Sequence, residues 1–209
     1  MAGYQPLFVD FTGKKVVIFG GGAVGERKAA YFSVADVTVV SREFSEGLRA
    51  RAGVRLVSCD VTVDAVPGLI ENAFLVVAAT GNSPLDREIV RVAGDAGIIV
   101  NAAEGRSDVI LPSKIVQGDI TIAISTGGHS PAMAKYLRLR LEESLGTELS
   151  NMVRLQSELR EDLKMTVPSQ DERERLLWQV LGDRSIWEAL KTSYKDAKLL
   201  AIEKLESER

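Results

Sequence analysis

An apolar run, Val16-Val17-Ile18-Phe19, stops at three consecutive glycines and then opens into Ala23-Val24-Gly25-Glu26-Arg27-Lys28. No other stretch restricts the chain as tightly. Continuous β-branched and aromatic residues suit a strand covered on both faces. The charged, alanine-containing segment after the glycines suits a helix, and the glycines make the turn between the two. Their spacing is Gly20-x-Gly22-x-x-Gly25. In a strand–turn–helix context Gly20 permits the sharp turn, Gly22 lets a pyrophosphate approach the backbone, and Gly25 lets the helix pack on the strand. The first N–H groups of that helix have no intrahelical partner and face an anion. The stretch predicts a dinucleotide site; the plainer alternative is a glycine turn that binds nothing.

The rest of the first half repeats the same alternation. Asp36 to Val40 and Val54 to Ser58 read as strands rich in β-branched residues. Phe74 to Ala79 is a continuous apolar run, and Ile98 to Val100 reads as a fifth strand ending at Asn101. Helices are expected from about Ala23 to Phe32 and from Pro84 to about Ala96, the second ended by Gly97. The fold class is therefore α/β, a Rossmann-type parallel sheet, with ligands at the carboxyl ends of the strands. Ser41-Arg42-Glu43 stands where an acid would meet a ribose 2′-OH and an arginine a 2′-phosphate. Ser41 is able to bond a ribose hydroxyl, Arg42 to stack on adenine or stay solvated, and Glu43 stands one place late, so NAD against NADP stays open. Thr80, in Thr80-Gly81-Asn82, is a candidate cofactor contact, although the triplet is also good turn chemistry. Ala102 to Asp108 form a polar loop where a substrate would meet the nicotinamide, and Asp108 to Pro112 are expected to leave it as a short strand.

Further on, Ile120 to Ile124 alternates and stops at Ser125-Thr126-Gly127-Gly128-His129-Ser130-Pro131. Ser130 is a good N-cap and Pro131 a good first helical residue. Leucines and methionines at helical spacing then run from Met133 to Leu163, with Gly146 as the point of interruption. After about residue 146 glycine nearly vanishes and charge rises. Pro168 breaks the run, and Ser169-x-x-Glu172 and Ser185-x-x-Glu188 read as capping boxes opening two further helices.

Composition excludes several functions. Cys59 is the only cysteine and His129 the only histidine, so neither a disulfide nor a multi-cysteine or histidine-cluster metal site can form within the chain. The net charge of −3 gives no general drive towards nucleic acid or anionic membranes. No apolar run approaches the ~20 residues a membrane helix needs. The start, MAGYQPLFVDF, has neither a basic nor an apolar signal region. A cytoplasmic protein is expected.

Several stretches, in order, resemble one family: Pro6-Leu7-Phe8, GGGAVGERK, Ala78-Ala79-Thr80, Val100-Asn101, Leu111-Pro112 and Ile124 to Pro131. Together they are similar to precorrin-2 dehydrogenase, the NAD-dependent module of siroheme synthase, over about residues 4 to 145. The resemblance implies oxidation of precorrin-2, a polycarboxylate tetrapyrrole, to sirohydrochlorin. A hydride would pass to NAD⁺ and a proton would leave. It also implies a homodimer, and some members of the family insert Fe²⁺. The implied division is a nucleotide-binding domain over 1–112, a dimerisation region over 113–146 and a helical domain over 147–209.

Carried over residue by residue, the resemblance places Ala23 and Val24 on the pyrophosphate loop and Ser41, Arg42 and Glu43 at the adenosine. Asn101 joins the cofactor contacts. The family's proposed catalytic aspartate follows Asn-x-x, but here Asn101-Ala102-Ala103 leads to Glu104. Glutamate keeps the carboxylate and changes its reach by roughly 1.5 Å. Asp108 is the rival general base. Ser130 matches a serine phosphorylated in some members, although capping alone explains it. His129 beside it reads first as a surface histidine, with catalysis or metal escort as the alternative, and His129 and Ser130 are both candidate substrate contacts. Arg106, Lys114, Lys135 and Arg138 are candidate cations for the substrate's carboxylates, and Lys135 and Arg138 share one helical face. Two rival functions are a bifunctional dehydrogenase and ferrochelatase, and an NAD(H)-sensing regulatory dimer. The mixed charge of the tail argues against a DNA reader.

Overall fold

Strand β1 (Lys15–Phe19) is the centre of a five-stranded parallel sheet. The computed structural model describes residues 3–102 and 107–207. Beside β1 lie β2 (Asp36–Ser41) and β4 (Leu75–Ala78), with β3 (Val54–Ser58) and β5 (Ile99–Ala102) outside them, in the order β3-β2-β1-β4-β5. Val16 sits opposite Val37 on one side and Leu75 on the other. Because residues alternate in direction along a strand, β1 serves two cores. Val16 and Ile18 pack with Ala29 and Phe32, from and just after helix α1 (Ala23–Tyr31). Val17 and Phe19 face Ile89 and Ala93 of α4 (Ser83–Asp95) and Val66 of the short α3 (Val66–Leu69). Burial on both faces is why the strand reads as an unbroken apolar run. Each such side chain contributes about 1.5–3 kcal/mol. A one-turn α2 (Glu46–Ala50), capped by Ser45, completes the surface behind β2. The chain leaves β1 for β2 on one side and reaches β4 on the other, so a crevice opens at their carboxyl ends.

The expected strand over Asp108 to Pro112 does not form. The N–H groups of Asp108 and Val109 both donate to the Val100 carbonyl, at 2.9 and 3.3 Å. Two donors on one acceptor close a turn and leave no ladder.

The chain divides into two compact units, Met1–Leu111 and Pro112–Arg209. The second begins with a hairpin of β6 (Ser113–Gln117) and β7 (Ile120–Ile124), turned at Gly118 with φ 57°. Helices α5 (Pro131–Ser144) and α6 (Thr147–Thr166) are separate, broken at Gly146 as the sequence predicts. Gln117 donates to the Gly146 carbonyl at 2.7 Å and accepts from Ser150 at 3.1 Å, which ties the hairpin to the break. Leu155 and Leu159 of α6 then bury against α7 (Gln170–Gly182), α8 (Arg184–Leu190) and α9 (Tyr194–Ser207). Ser169 caps α7, accepting from the Glu172 N–H. The second capping box is corrected: Asp183, not Ser185, caps α8, its carboxylate accepting from the Ser185 N–H at 2.8 Å. One further break, at Lys191 to Ser193, splits what the sequence read as one helix. Among the described residues no helix is long and apolar enough to cross a membrane.

Acid sensitivity is expected in this unit. Lys198, then Arg154, donate to Glu158 and hold its carboxyl down to about 2, against an ordinary 4.5. Lys204 and Ser185 do the same for Asp183, also to about 2. A lowered folded pKa stabilises above the unfolded value and loses that contribution as protons bind. The melting temperature should therefore fall as pH drops from about 4.5 towards 2. Glu158→Gln with Asp183→Asn should flatten that fall in a series of thermal melts. An unchanged slope in the double variant would refute the assignment.

Candidate active site

The glycine turn after β1 is built by contacts that exclude side chains. Gly20 has φ 117°, and a Cβ there would lie 2.1 Å from the Ala79 carbonyl oxygen. A Cβ on Gly25 would lie 1.9 Å from the Gly20 carbonyl oxygen, so helix α1 seats against the turn only as glycine. Gly22 differs: its backbone is extended, at φ −83° and ψ −168°, and a Cβ would meet nothing within 4 Å. It is the N-cap of α1 and offers no side-chain cap, and Ala23 and Val24 beside it are exposed. The first-turn N–H groups thus face open space at the carboxyl end of β1, which fits a pyrophosphate.

Gly21 was not singled out in the sequence. Its Cβ would lie 2.1 Å from the Glu43 carbonyl oxygen, and its own carbonyl accepts from the Ser45 N–H at 2.8 Å. The segment after β2 therefore lies on the glycine turn. Ser45 also donates to Glu26 at 2.6 Å, which locks that segment to α1. The run of three glycines was the available signal. Ser41 is half-buried at the end of β2, while Arg42 and Glu43 are exposed. Arg42 lies 3.7 Å from Asp60, both largely exposed, a pair of little energetic weight. Thr80 donates to the buried Asp86 carboxylate at 2.8 Å and accepts from the Asn82 N–H, so its hydroxyl serves the turn.

At the end of β5 a polar network closes the neck of the following loop. Asn101 is 3% exposed. Its Oδ1 accepts from Lys28 Nζ at 2.7 Å, and its Nδ2 donates to the Val109 carbonyl at 2.8 Å. Ser107 Oγ donates to that same carbonyl at 2.6 Å and accepts from the Ala102 N–H at 3.2 Å. Asp108 Oδ2 accepts from the Val100 N–H at 3.1 Å. Tyr4, from the entry arm, donates to the Ser107 carbonyl at 2.9 Å. Burial, then the neighbouring Arg27, lowers the Lys28 pKa. Asn101, expected at the cofactor, thus has both ends of its amide engaged inside the protein. Lys28 and Ser107 are the residues that sequence reasoning missed here. Glu104 and Arg106 lie outside the described residues.

In the second unit Ser130 caps α5, accepting from the Met133 N–H at 3.2 Å, and His129 is exposed beside it. Lys114 and Lys135 are exposed. Arg138 is paired with Glu142, its Nη1 lying 2.6 and 2.5 Å from the two carboxylate oxygens, so its charge already has a carboxylate partner. Among the described residues no group of three His, Cys, Asp or Glu side chains gathers where a metal could be held.

The parallel sheet and its glycine cradle define a nicotinamide-nucleotide-binding protein, and residues 7–113 match the model of an NAD(P)-binding family. Residues 117–144 match that of the central region of sirohaem biosynthesis proteins. The chain is 44% identical to the precorrin-2 dehydrogenase of Methanosarcina barkeri over 93% of its own length and 90% of that protein's. It belongs to the precorrin-2 dehydrogenase family. A siroheme synthase of Yersinia enterocolitica is 32% identical over 96% of this chain, which spans 41% of that longer protein. The solved structure of SirC, a precorrin-2 dehydrogenase, has the same fold, with a TM-score of 0.74 at 20% identity over 98% of this chain and all of that one.

Proposed function

We propose that this chain oxidises precorrin-2 to sirohydrochlorin with NAD⁺ as the hydride acceptor. One observation carries the reading: the open cradle at Gly22 lies in a chain 44% identical, across nearly its whole length, to a precorrin-2 dehydrogenase. The cradle of Gly20, Gly22, Ala23, Val24 and Gly25 binds the pyrophosphate, and Ser41, Arg42 and Glu43 receive the adenosine. NAD is preferred to NADP because Asp60 and Glu43 set negative charge around Arg42, where a 2′-phosphate would need positive charge. When bound, the nicotinamide supplies a two-electron acceptor. Glu104 takes the proton. Asp108, its rival, is assigned instead as a brace, because one oxygen of its carboxylate accepts from the Val100 N–H. Arg106, Lys114 and Lys135 are assigned to substrate carboxylates.

The working unit is a homodimer formed through residues 113–146. Met133, Tyr136 and Leu139, three apart along α5, are large apolar side chains left exposed, which a second copy would cover. Light scattering should give the mass of two chains; the mass of one would remove this part. The reaction is assigned to the cytoplasm, where Cys59 stays reduced. Purified protein given precorrin-2 and NAD⁺ should produce NADH and sirohydrochlorin together by absorbance. Folded protein without turnover would reject the proposal.

A further inference from the structure

Lys28 sits in the second turn of the dinucleotide helix and does not touch the open cradle. Its ammonium is half-buried, and among the described residues its hydrogen-bond partner is the neutral carboxamide of Asn101, at 2.7 Å. Taking a cation partly out of water without a carboxylate partner is unfavourable. An aliphatic residue would fill the same space without that cost. A bare packing role therefore leaves the amine unexplained, and the network it enters supplies a reason. With Oδ1 held by Lys28, the Asn101 amide can present only its Nδ2 to Val109, where it meets a carbonyl. Reversed, the amide would set oxygen against oxygen and its NH₂ against an ammonium. Lys28 thus sets the orientation of a buried group whose other end closes the loop after β5. Ser107 and Asp108 brace the same neck with side chains from the loop itself, on the Val109 carbonyl and the Val100 N–H, but Lys28 comes from the helix that carries the phosphate loop.

We propose that Lys28 is a positioning residue, which through Asn101 holds the neck of the loop after β5 in register with the dinucleotide helix. The inference rests on the dehydrogenase reading of the same site. It acts on the geometry of reaction, because the loop follows the strand end where substrate and nicotinamide would meet. It does not act on cofactor affinity, because the cradle lies at Gly20 to Gly25.

Three measurements on Lys28→Met, which keeps the aliphatic stem, test it. With precorrin-2 and NAD⁺, kcat should fall about 10- to 100-fold, as misplacement of reacting groups by an ångström does. The dissociation constant for NAD⁺, by calorimetric titration, should change less than about threefold, which is under 1 kcal/mol. Amide hydrogen exchange at Val100, Ala102, Asp108 and Val109 should quicken at least about tenfold, while the β1 and β2 amides hold their wild-type rates. The double variant Lys28→Met/Asn101→Ala should be no slower than the worse single variant, because the two act as one device. Unchanged exchange at those four amides would overturn the proposal, as would additive losses in the double variant. Loss of NAD⁺ affinity matching the loss of kcat would place Lys28 in the cradle and overturn it too. Should the wild-type protein fail to turn over precorrin-2, the dehydrogenase reading falls, and the exchange data still decide the tether.

Discussion

Gly22→Ala is expected to leave the protein folded and to strip it of most of its nicotinamide-nucleotide affinity. The two effects separate because of geometry. The Gly22 backbone is extended and a Cβ there would meet nothing within 4 Å, so the folded state accepts the methyl group. The stability cost should be on the order of 1 kcal/mol or less, that of a poorer N-cap. The methyl would instead occupy the space into which a pyrophosphate descends. Binding should weaken at least about tenfold, or about 1.4 kcal/mol. Gly25→Ala should behave differently. Its Cβ would lie 1.9 Å from the Gly20 carbonyl oxygen, so α1 must move off the turn. Overpacking of this kind costs about 1–3 kcal/mol or more, and both stability and binding should suffer. Thermal melts and calorimetric titrations with NAD⁺ and NADH would measure both. Unaltered affinity in Gly22→Ala would mean that no phosphate lies over that residue, and the cradle would have to be moved.

The second large effect is expected at the loop after β5. Glu104→Gln should lower kcat by about 10²- to 10⁴-fold, the range for loss of a general base, and leave NAD⁺ affinity unchanged. Asp108→Asn should keep most of the rate. An asparagine oxygen still accepts from the Val100 N–H, so stability should change by no more than about 1 kcal/mol. Steady-state rates with precorrin-2 decide the matter. The opposite result, a silent Glu104→Gln and a damaged Asp108→Asn, would exchange the two roles. Full activity in both would show that neither carboxylate takes the proton.

Much of the fold was legible because its signals are local. The run Val16 to Phe19 is apolar without alternation because both faces of β1 are covered, and that pattern is written in consecutive residues. Gly146 marked the break between α5 and α6, and Ser169 its helix cap, since each acts within a turn of itself. The misreadings have equally physical causes. Asp108 to Leu111 has strand-like residues, but a strand needs a ladder, and the two leading N–H groups were taken by one carbonyl. Ser185 has the right spacing for a capping box, but Asp183, two places earlier, starts the helix sooner, its carboxylate accepting from the Ser185 N–H. Arg138, a candidate cation for substrate carboxylates, has Glu142 four residues on, where a helix brings the two together.

The site divides along the same line. The amino-acid sequence by itself determined the strand, turn and helix joined through Gly20, Gly22 and Gly25, all between Lys15 and Tyr31, where backbone sterics alone dictate the outcome. Only the tertiary structure decided that Gly21 lies under Glu43, that Thr80 serves Asp86, and that Lys28 reaches Asn101, 73 residues away. These are meetings of side chains and carbonyls from different strands and helices. Their partners are chosen by how the sheet stacks its elements, and a one-dimensional pattern carries no such distance.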